Sequence, residues 1–273
     1  MSFNTLPIKK LILTPGIILG VLFSQPISES MPVHTYSIVA YDEETGELGV
    51  AVQSHWFSVG FLVPWAKAGV GAVATQSFVK VDYGPEGLKL MEEGMSAEDA
   101  LKKLISEDEN EAVRQVAMID IKGNVATHTG AKCIYAAGHR IGKNYSVQAN
   151  LMENESVWDA MSIAFENTGG DLADRMMAAL DAAEGEGGDI RGKQSAAMLI
   201  VTGEPTGVPW KDVVMDIRVD DHPQPLIQLK RLIRVNRAYQ HANKGDHYLE
   251  LDEVEKALAE YEMAAHYYPE NPE

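Results

Sequence analysis

The chain has 273 residues, 45% hydrophobic and 23% charged, a balance that fits a soluble globular protein with one or two cored domains. The 40 acidic against 23 basic residues give a formal charge of −17, which argues against nucleic acid and anionic lipid as partners, since basic patches hold both. The single cysteine, Cys133, excludes an intramolecular disulfide, and with no Cys or His cluster beside it no metal is expected.

Residues 1–30 read as a secretory leader: Lys9-Lys10, an apolar run over 11–23, then a polar stretch in which Ser28 and Ser30 are the small residues before a cut. The run is shorter than the roughly 20 residues that cross a bilayer, so no membrane span is expected in the mature chain. The expectation is export to a periplasmic or extracellular space. An uncleaved anchor, or a start at Met31 with a cytoplasmic product, are the alternatives.

Residues 35–41 alternate as a strand, with Tyr36, Ile38 and Ala40 on one face and Thr35, Ser37 and Val39 on the other. Apolar residues on both faces predict a strand covered on both sides. Asp42-Glu43-Glu44-Thr45-Gly46-Glu47 is a hairpin turn, with Gly46 supplying the positive φ, and 48–54 is the antiparallel partner. Residues 70–76 form a third strand of small side chains. One helix opens at Tyr83-Gly84-Pro85 and stops at Gly94; the next is capped by Ser96, with Glu98 and Asp99 in its first turn, and runs to Ile105. Residues 114–121 and 124–129 pair about Lys122-Gly123-Asn124, and 144–151 is a further strand. Helices are predicted over 157–167 and 172–183, a glycine-rich loop over 184–188, and strands over 195–201 and 213–219. Hairpins rather than βαβ units predict an α+β fold with a mainly antiparallel sheet and helices in separate layers.

After Pro223 the character changes. Residues 226–239 predict a helix with Lys230, Arg231, Arg234 and Arg237 on its polar face. Gly245, Tyr248, Ala257, Tyr261, Ala264 and Pro269 stand at offsets that resemble one tetratricopeptide repeat over 238–269, although His241 and Lys244 replace the family's tryptophan and leucine. One repeat is too few for a solenoid, which takes about three. Residues 224–273 are thus expected to be a helical hairpin, either docked on the main domain or serving a protein partner or self-association.

Several motifs fail on their context. Gly187 to Lys193 has phosphate-loop spacing, but Gln194 stands where the magnesium-binding hydroxyl belongs, and a strand rather than a helix follows. His128 and His139 have no Gly-x-Ser-x-Gly partner for a Ser-His-Asp triad and read as structural.

The segments TYSIVAYDEETGELGVAVQS, VPWAKAGVGAVATQ, HTGAKC, GHRIGKNYSVQANLM, GGDIRGKQSAAMLIV and RVDDHP, in order over 34–230, resemble the domain-of-unknown-function family numbered 1028. That family looks like the N-terminal-nucleophile (Ntn) hydrolases in fold. The resemblance therefore implies a four-layer α-β-β-α sandwich of two antiparallel sheets over 34–223, with the helical hairpin added. It also implies an amide-bond hydrolase without cofactor, acting on a peptide-like or acyl-amide substrate, in which a hydroxyl at the start of the first strand attacks and its own α-amine serves as base. By position Thr35 is that residue and Ser37 the fallback; Ser54, Asn150, Gln194 and Ser195 are the possible supporting polar residues. Met31-Pro32-Val33-His34 departs from the scheme, because an amide-linked Thr35 has no free amine. Either a further, autocatalytic cut follows, or the protein keeps the fold without the chemistry and works in binding or assembly through its tail.

Overall fold

The computed structural model describes residues 31–270; the leader expected over 1–30 lies outside the described residues. Strand β1 (Met31–Val33) is followed after His34 by β2 (Thr35–Tyr41) and β3 (Leu48–Ser54). The hairpin between them closes as its residues dictate. The Asp42 carboxylate accepts the backbone N–H groups of Glu44 and Thr45 at 2.8 and 3.4 Å, and Gly46 takes a φ of +77°. Next come β4 (Pro64–Lys67), β5 (Gly71–Val79), α1 (Tyr83–Glu92) and α2 (Ala97–Ser106). The Ser96 hydroxyl caps α2 by accepting Asp99 N–H at 3.1 Å. Then follow β6 (Arg114–Asp120), β7 (Val125–Thr129), β8 (Gly138–Gly142), β9 (Tyr145–Ala149), α3 (Val157–Asn167), α4 (Leu172–Gly185), β10 (Ser195–Val201) and β11 (Val213–Val219). Two helices close the chain, α5 (Pro225–Glu250) and α6 (Val254–Tyr267).

The strands make two antiparallel sheets. One has the order β11-β10-β3-β2-β9-β8; the other runs β1-β5-β6-β7, with β4 also on β5. The pleat of β2 sorts its side chains between two cores. Tyr36, Ile38 and Ala40 pack under α3, α4 and α5 with Met161, Met176 and Leu229, while Val39 meets Val52, Ala74 and Ala117 between the sheets. A third cluster, with Val73, Leu101 and Met118, lies between the second sheet and α1 and α2. The layers are therefore α-β-β-α.

Three strands go beyond the sequence reading: β1, β4 and β8. β4 carries a proline and β8 is glycine-bounded and largely open to solvent, so neither shows the alternation of a buried strand. The expected helix over 226–239 and the first helix of the repeat-like hairpin are one continuous helix, α5, since nothing between Tyr239 and Gly245 interrupts helical backbone. In its later turns Gly245 lies against the Tyr261 ring, where a Cβ would come within 2.6 Å, and Ala257 is buried beside it.

The edge of β5 facing away from β6 is shared. β4 pairs with it over Gly71 to Ala74, and β1 over Ser77 to Val79 in the register Val33 to Ser77, Pro32 to Phe78 and Met31 to Val79. That placement brings residues 31–34 to the start of β2.

Candidate active site at the start of strand β2

The register of the first sheet sets Thr35 beside Ser54 and Ser54 beside Ser195, three buried hydroxyls in a row facing the other sheet. Thr35 Oγ1 donates to Ser54 Oγ at 3.1 Å, and Ser54 Oγ donates to the carbonyl oxygen of His34 at 2.5 Å. Ser195 is engaged elsewhere: it donates to the Trp56 carbonyl and accepts Val59 N–H at 3.1 Å, tying the 56–59 turn to β10.

Both ends of the His34–Thr35 unit are held. The His34 carbonyl accepts a second hydrogen bond, from Arg191 Nη2 at 3.0 Å. The Thr35 carbonyl accepts Asn150 N–H at 3.1 Å and Gln76 Nε2 at 3.2 Å. Arg191 reaches in from the loop between α4 and β10, where the buried Asp189 grips it bidentately, Nε to Oδ1 at 3.0 Å and Nη2 to Oδ2 at 2.6 Å. Asp189 also accepts His55 N–H at 3.2 Å, which fixes the loop to the end of β3. With its charge matched by Asp189, Arg191 offers the carbonyl a strong donor rather than a free cation.

The His34 ring is 5% exposed, meets Asn150 Oδ1 through Nδ1 at 3.0 Å, and sits edge-on to Phe78 with centroids 6.0 Å apart. Asn150 Nδ2 is directed to Gln115 Oε1 at 2.9 Å, so Asn150 presents its oxygen to the ring and Nδ1 carries the proton. Burial holds the imidazole below its ordinary pKa of 6.5, against the Asn150 bond; the Arg191 charge lowers it further and Asp189 opposes.

Behind Thr35 a chain of amides crosses between the sheets. Gln148 Nε2 donates to Ser37 Oγ at 2.6 Å, Ser37 donates to Gln76 Oε1 at 2.6 Å, and Gln76 Nε2 donates to Gln115 Oε1 at 2.7 Å. Gln115 Nε2 in turn reaches the Ala149 carbonyl at 2.9 Å and Thr129 Oγ1 at 2.9 Å. Every one of these side chains is buried apart from Thr129, and each bond fixes the next, so the backbone at Thr35 is set by a rigid polar layer.

Of the residues singled out from the sequence, Thr35, Ser54 and Asn150 converge on the His34–Thr35 unit. Ser37 sits one pleat further along, inside the amide chain. Gln194 turns outward to Asp221 Oδ1 at 3.1 Å, and Ser195 serves the 56–59 turn. The sequence reading left out His34, Gln76, Gln115, Gln148, Asp189 and Arg191. For the glutamines a signal was present, since each is a long amide among small and apolar residues in a strand that is buried almost throughout. Arg191 lies in the loop with phosphate-loop spacing, whose Lys193 pairs with Glu184 at 2.6 Å. His128 meets the Glu111 carbonyl at 2.9 Å and its carboxylate at 3.0 Å, and His139 meets Thr129 Oγ1 at 2.8 Å. Among the described residues no three His, Cys, Asp or Glu are grouped to hold a metal, and no helix is long and apolar enough to cross a membrane.

A comparison with curated proteins finds no match. Among solved structures the chain is similar to the crystal structure of protein SPO2555 from Silicibacter pomeroyi, a DUF1028 protein. The two share 33% sequence identity, the match covers 74% of this chain and 85% of that one, and the TM-score is 0.67. The model of the family of unknown function DUF1028 matches residues 35–229, and the chain belongs to that family.

Proposed function

We propose that this protein is an amide hydrolase of the Ntn type, made as a precursor in which Thr35 cuts its own link to His34 and then acts with the freed amine as its base. The observation that carries this is the pair of donors on the His34 carbonyl, Ser54 Oγ at 2.5 Å and Arg191 Nη2 at 3.0 Å, beside a Thr35 hydroxyl bonded to the same Ser54. Two fixed donors on one carbonyl oxygen are the arrangement that stabilises a tetrahedral oxyanion. In the cut, Thr35 Oγ1 bonds to the His34 carbonyl carbon, the C–N bond breaks, and the hydroxyl proton ends on the Thr35 nitrogen. Water then opens the ester, releasing the His34 carboxylate and restoring the hydroxyl. An export cut after Ser30 would leave Met31 to His34 as the segment removed, and the family match begins at Thr35, which supports the same boundary.

The freed α-amine has an ordinary pKa of about 7.7–8.0, so it is partly unprotonated near neutral pH and can take the hydroxyl proton during attack on a second amide. The test is the intact mass of the purified protein with time. A chain beginning at Thr35 is expected, together with a Thr35→Ala chain that stays uncut and a Thr35→Ser chain that is cut. A wild-type chain that keeps residues 31–34 through prolonged incubation would overturn the proposal.

A second reading, binding or assembly through the tail, rests on the apolar side chains Leu251, Val254 and Leu258, each more than half exposed at the α5–α6 turn and on α6.

A further inference from the structure

The geometry points to an extended peptide as the substrate. Its acyl side would run antiparallel to β5 in the slot of β1, with the residue that supplies the scissile carbonyl seated where His34 lies. This rests on the reading of Thr35 as a freed nucleophile and adds the chemistry of what it attacks.

Three features of the precursor define the slot. The first is backbone: β4 covers the edge of β5 as far as Ala74, and Ser77 to Val79 have β1 as their partner on that edge. Once residues 31–34 leave, a stretch of strand edge beside the nucleophile is open, and an extended peptide is the ligand that satisfies such an edge. The second is the carbonyl seat formed by Ser54 Oγ and Arg191 Nη2. Asp189 neutralises Arg191 through two bonds, so the seat suits a neutral carbonyl better than a carboxylate. The third is the side-chain seat. Asn150 Oδ1 accepts from the His34 ring at 3.0 Å, and Phe78 lines the ring's other side. With its Nδ2 committed to Gln115, Asn150 keeps this acceptor pointed at whatever replaces His34. A planar side chain with an N–H donor, histidine first, fills the position; an aspartate there would set carboxylate against the Asn150 oxygen.

The reaction balances as in the self-cut. Thr35 Oγ1 takes the acyl group, the leaving amine takes the hydroxyl proton through the Thr35 α-amine, and water hydrolyses the ester to the peptide acid. The leaving side meets no described seat and is not selected.

The test uses the full-length protein, allowed to process and checked by mass for a Thr35 start. The probes are acetyl-Met-Pro-Val-His coumarinamide, its Asp analogue at the last residue, and decanoyl coumarinamide. The His peptide is expected to exceed the Asp peptide by about tenfold to a hundredfold in kcat/KM, the range that one mismatched buried acceptor produces. The decanoyl amide is expected to be inert. With a fourth probe that carries Leu at the last residue, Asn150→Leu is expected to lower the His-to-Leu ratio of kcat/KM, read on the fraction of chains that start at Thr35. A Thr35-start protein that ignores the peptides, or hydrolyses the Asp and His forms equally, overturns the substrate inference and leaves the nucleophile standing. A chain that keeps residues 31–34, or a Thr35→Ala protein as active as wild type, overturns both.

Discussion

Ser54 stands between the Thr35 hydroxyl and the His34 carbonyl, accepting from one and donating to the other. Ser54→Ala leaves the carbonyl with Arg191 as its one side-chain donor among the described residues, and loss of one oxyanion donor costs about 10²–10³ in rate. The self-cut, followed by mass, is expected to slow by that factor. His34 gives the uncut chain a pH signature. Its folded pKa is below 6.5, so as pH falls the unfolded chain takes up the proton first. Stability from this group is whole above pH 6.5 and declines as pH drops through 6.5 toward the folded value. Urea titrations of Thr35→Ala, which keeps His34 in place, are expected to show that decline between pH 7.5 and 5.5, and a further His34→Asn change to flatten it. His139, also lowered by burial and by His128 and Arg140, leaves a residual slope. The pairing of Thr35 with Ser54 was legible by counting outward from the Asp42–Glu47 turn, because a hairpin fixes its own register. Arg191 was not, since its approach depends on how a loop 157 residues away folds over the strand ends. Gln53, on the opposite face of β3, is buried with neither amide atom hydrogen-bonded among the described residues. Gln53→Met is expected to raise stability by about 1–3 kcal/mol in the same titrations.

Elements whose residues carry their own period were readable: β2, β3, β6, β7 and β10 alternate or run apolar, and α2 announces its start with Ser96 and two acids. β4 and β8 were not, because an edge strand is defined by the neighbour it bonds to. The order of strands in the second sheet depends on a junction that the sequence hides. Arg114, buried at the start of β6, donates to Asp108 at 2.8 Å and to the Phe78 carbonyl at 2.6 Å, locking α2, β6 and the end of β5 together. Burial pushes the Asp108 carboxyl up, but the Arg114 bond, the Asn110 N–H and the Arg114 charge outweigh it and hold the pKa below 3.8. This contribution is present above pH 3.8 and is lost as pH falls through the folded pKa. Arg114→Leu strands the buried carboxylate and is expected to cost about 3–5 kcal/mol at neutral pH. Arg114→Leu with Asp108→Asn is expected to recover part of that loss, which chemical denaturation of the three chains measures. Because Phe78 borders the His34 seat, the single variant is also expected to slow the self-cut.

At the scale of the molecule, α5 serves two bodies. Its first turns belong to the main core: Leu226, Leu229 and Ile233 are buried under the first sheet, and Arg237 bonds Asp171 and Asp174 at the start of α4. Gln240 Nε2 still reaches the Val214 carbonyl at 2.8 Å. From there on the helix packs with α6 through Gly245, Tyr261 and Ala257. Composition alone placed the change of character at Pro223, where a basic helical face begins; which turns of that helix are buried depends on the sheet beneath them. Two truncations separate the roles. A chain ending at His241 keeps the core-facing turns and is expected to keep both the melting temperature, within a few degrees, and the self-cut at Thr35. A chain ending at Pro223 uncovers the core of the first sheet. Losing three buried aliphatic side chains at about 1.5–3 kcal/mol each is expected to lower the melting temperature by roughly 10 °C or more. Light scattering on the His241 chain then decides what the distal hairpin does. If the exposed Leu251, Val254 and Leu258 hold copies together, particle mass falls on truncation while processing continues. An unchanged mass would leave these side chains without a part in self-association.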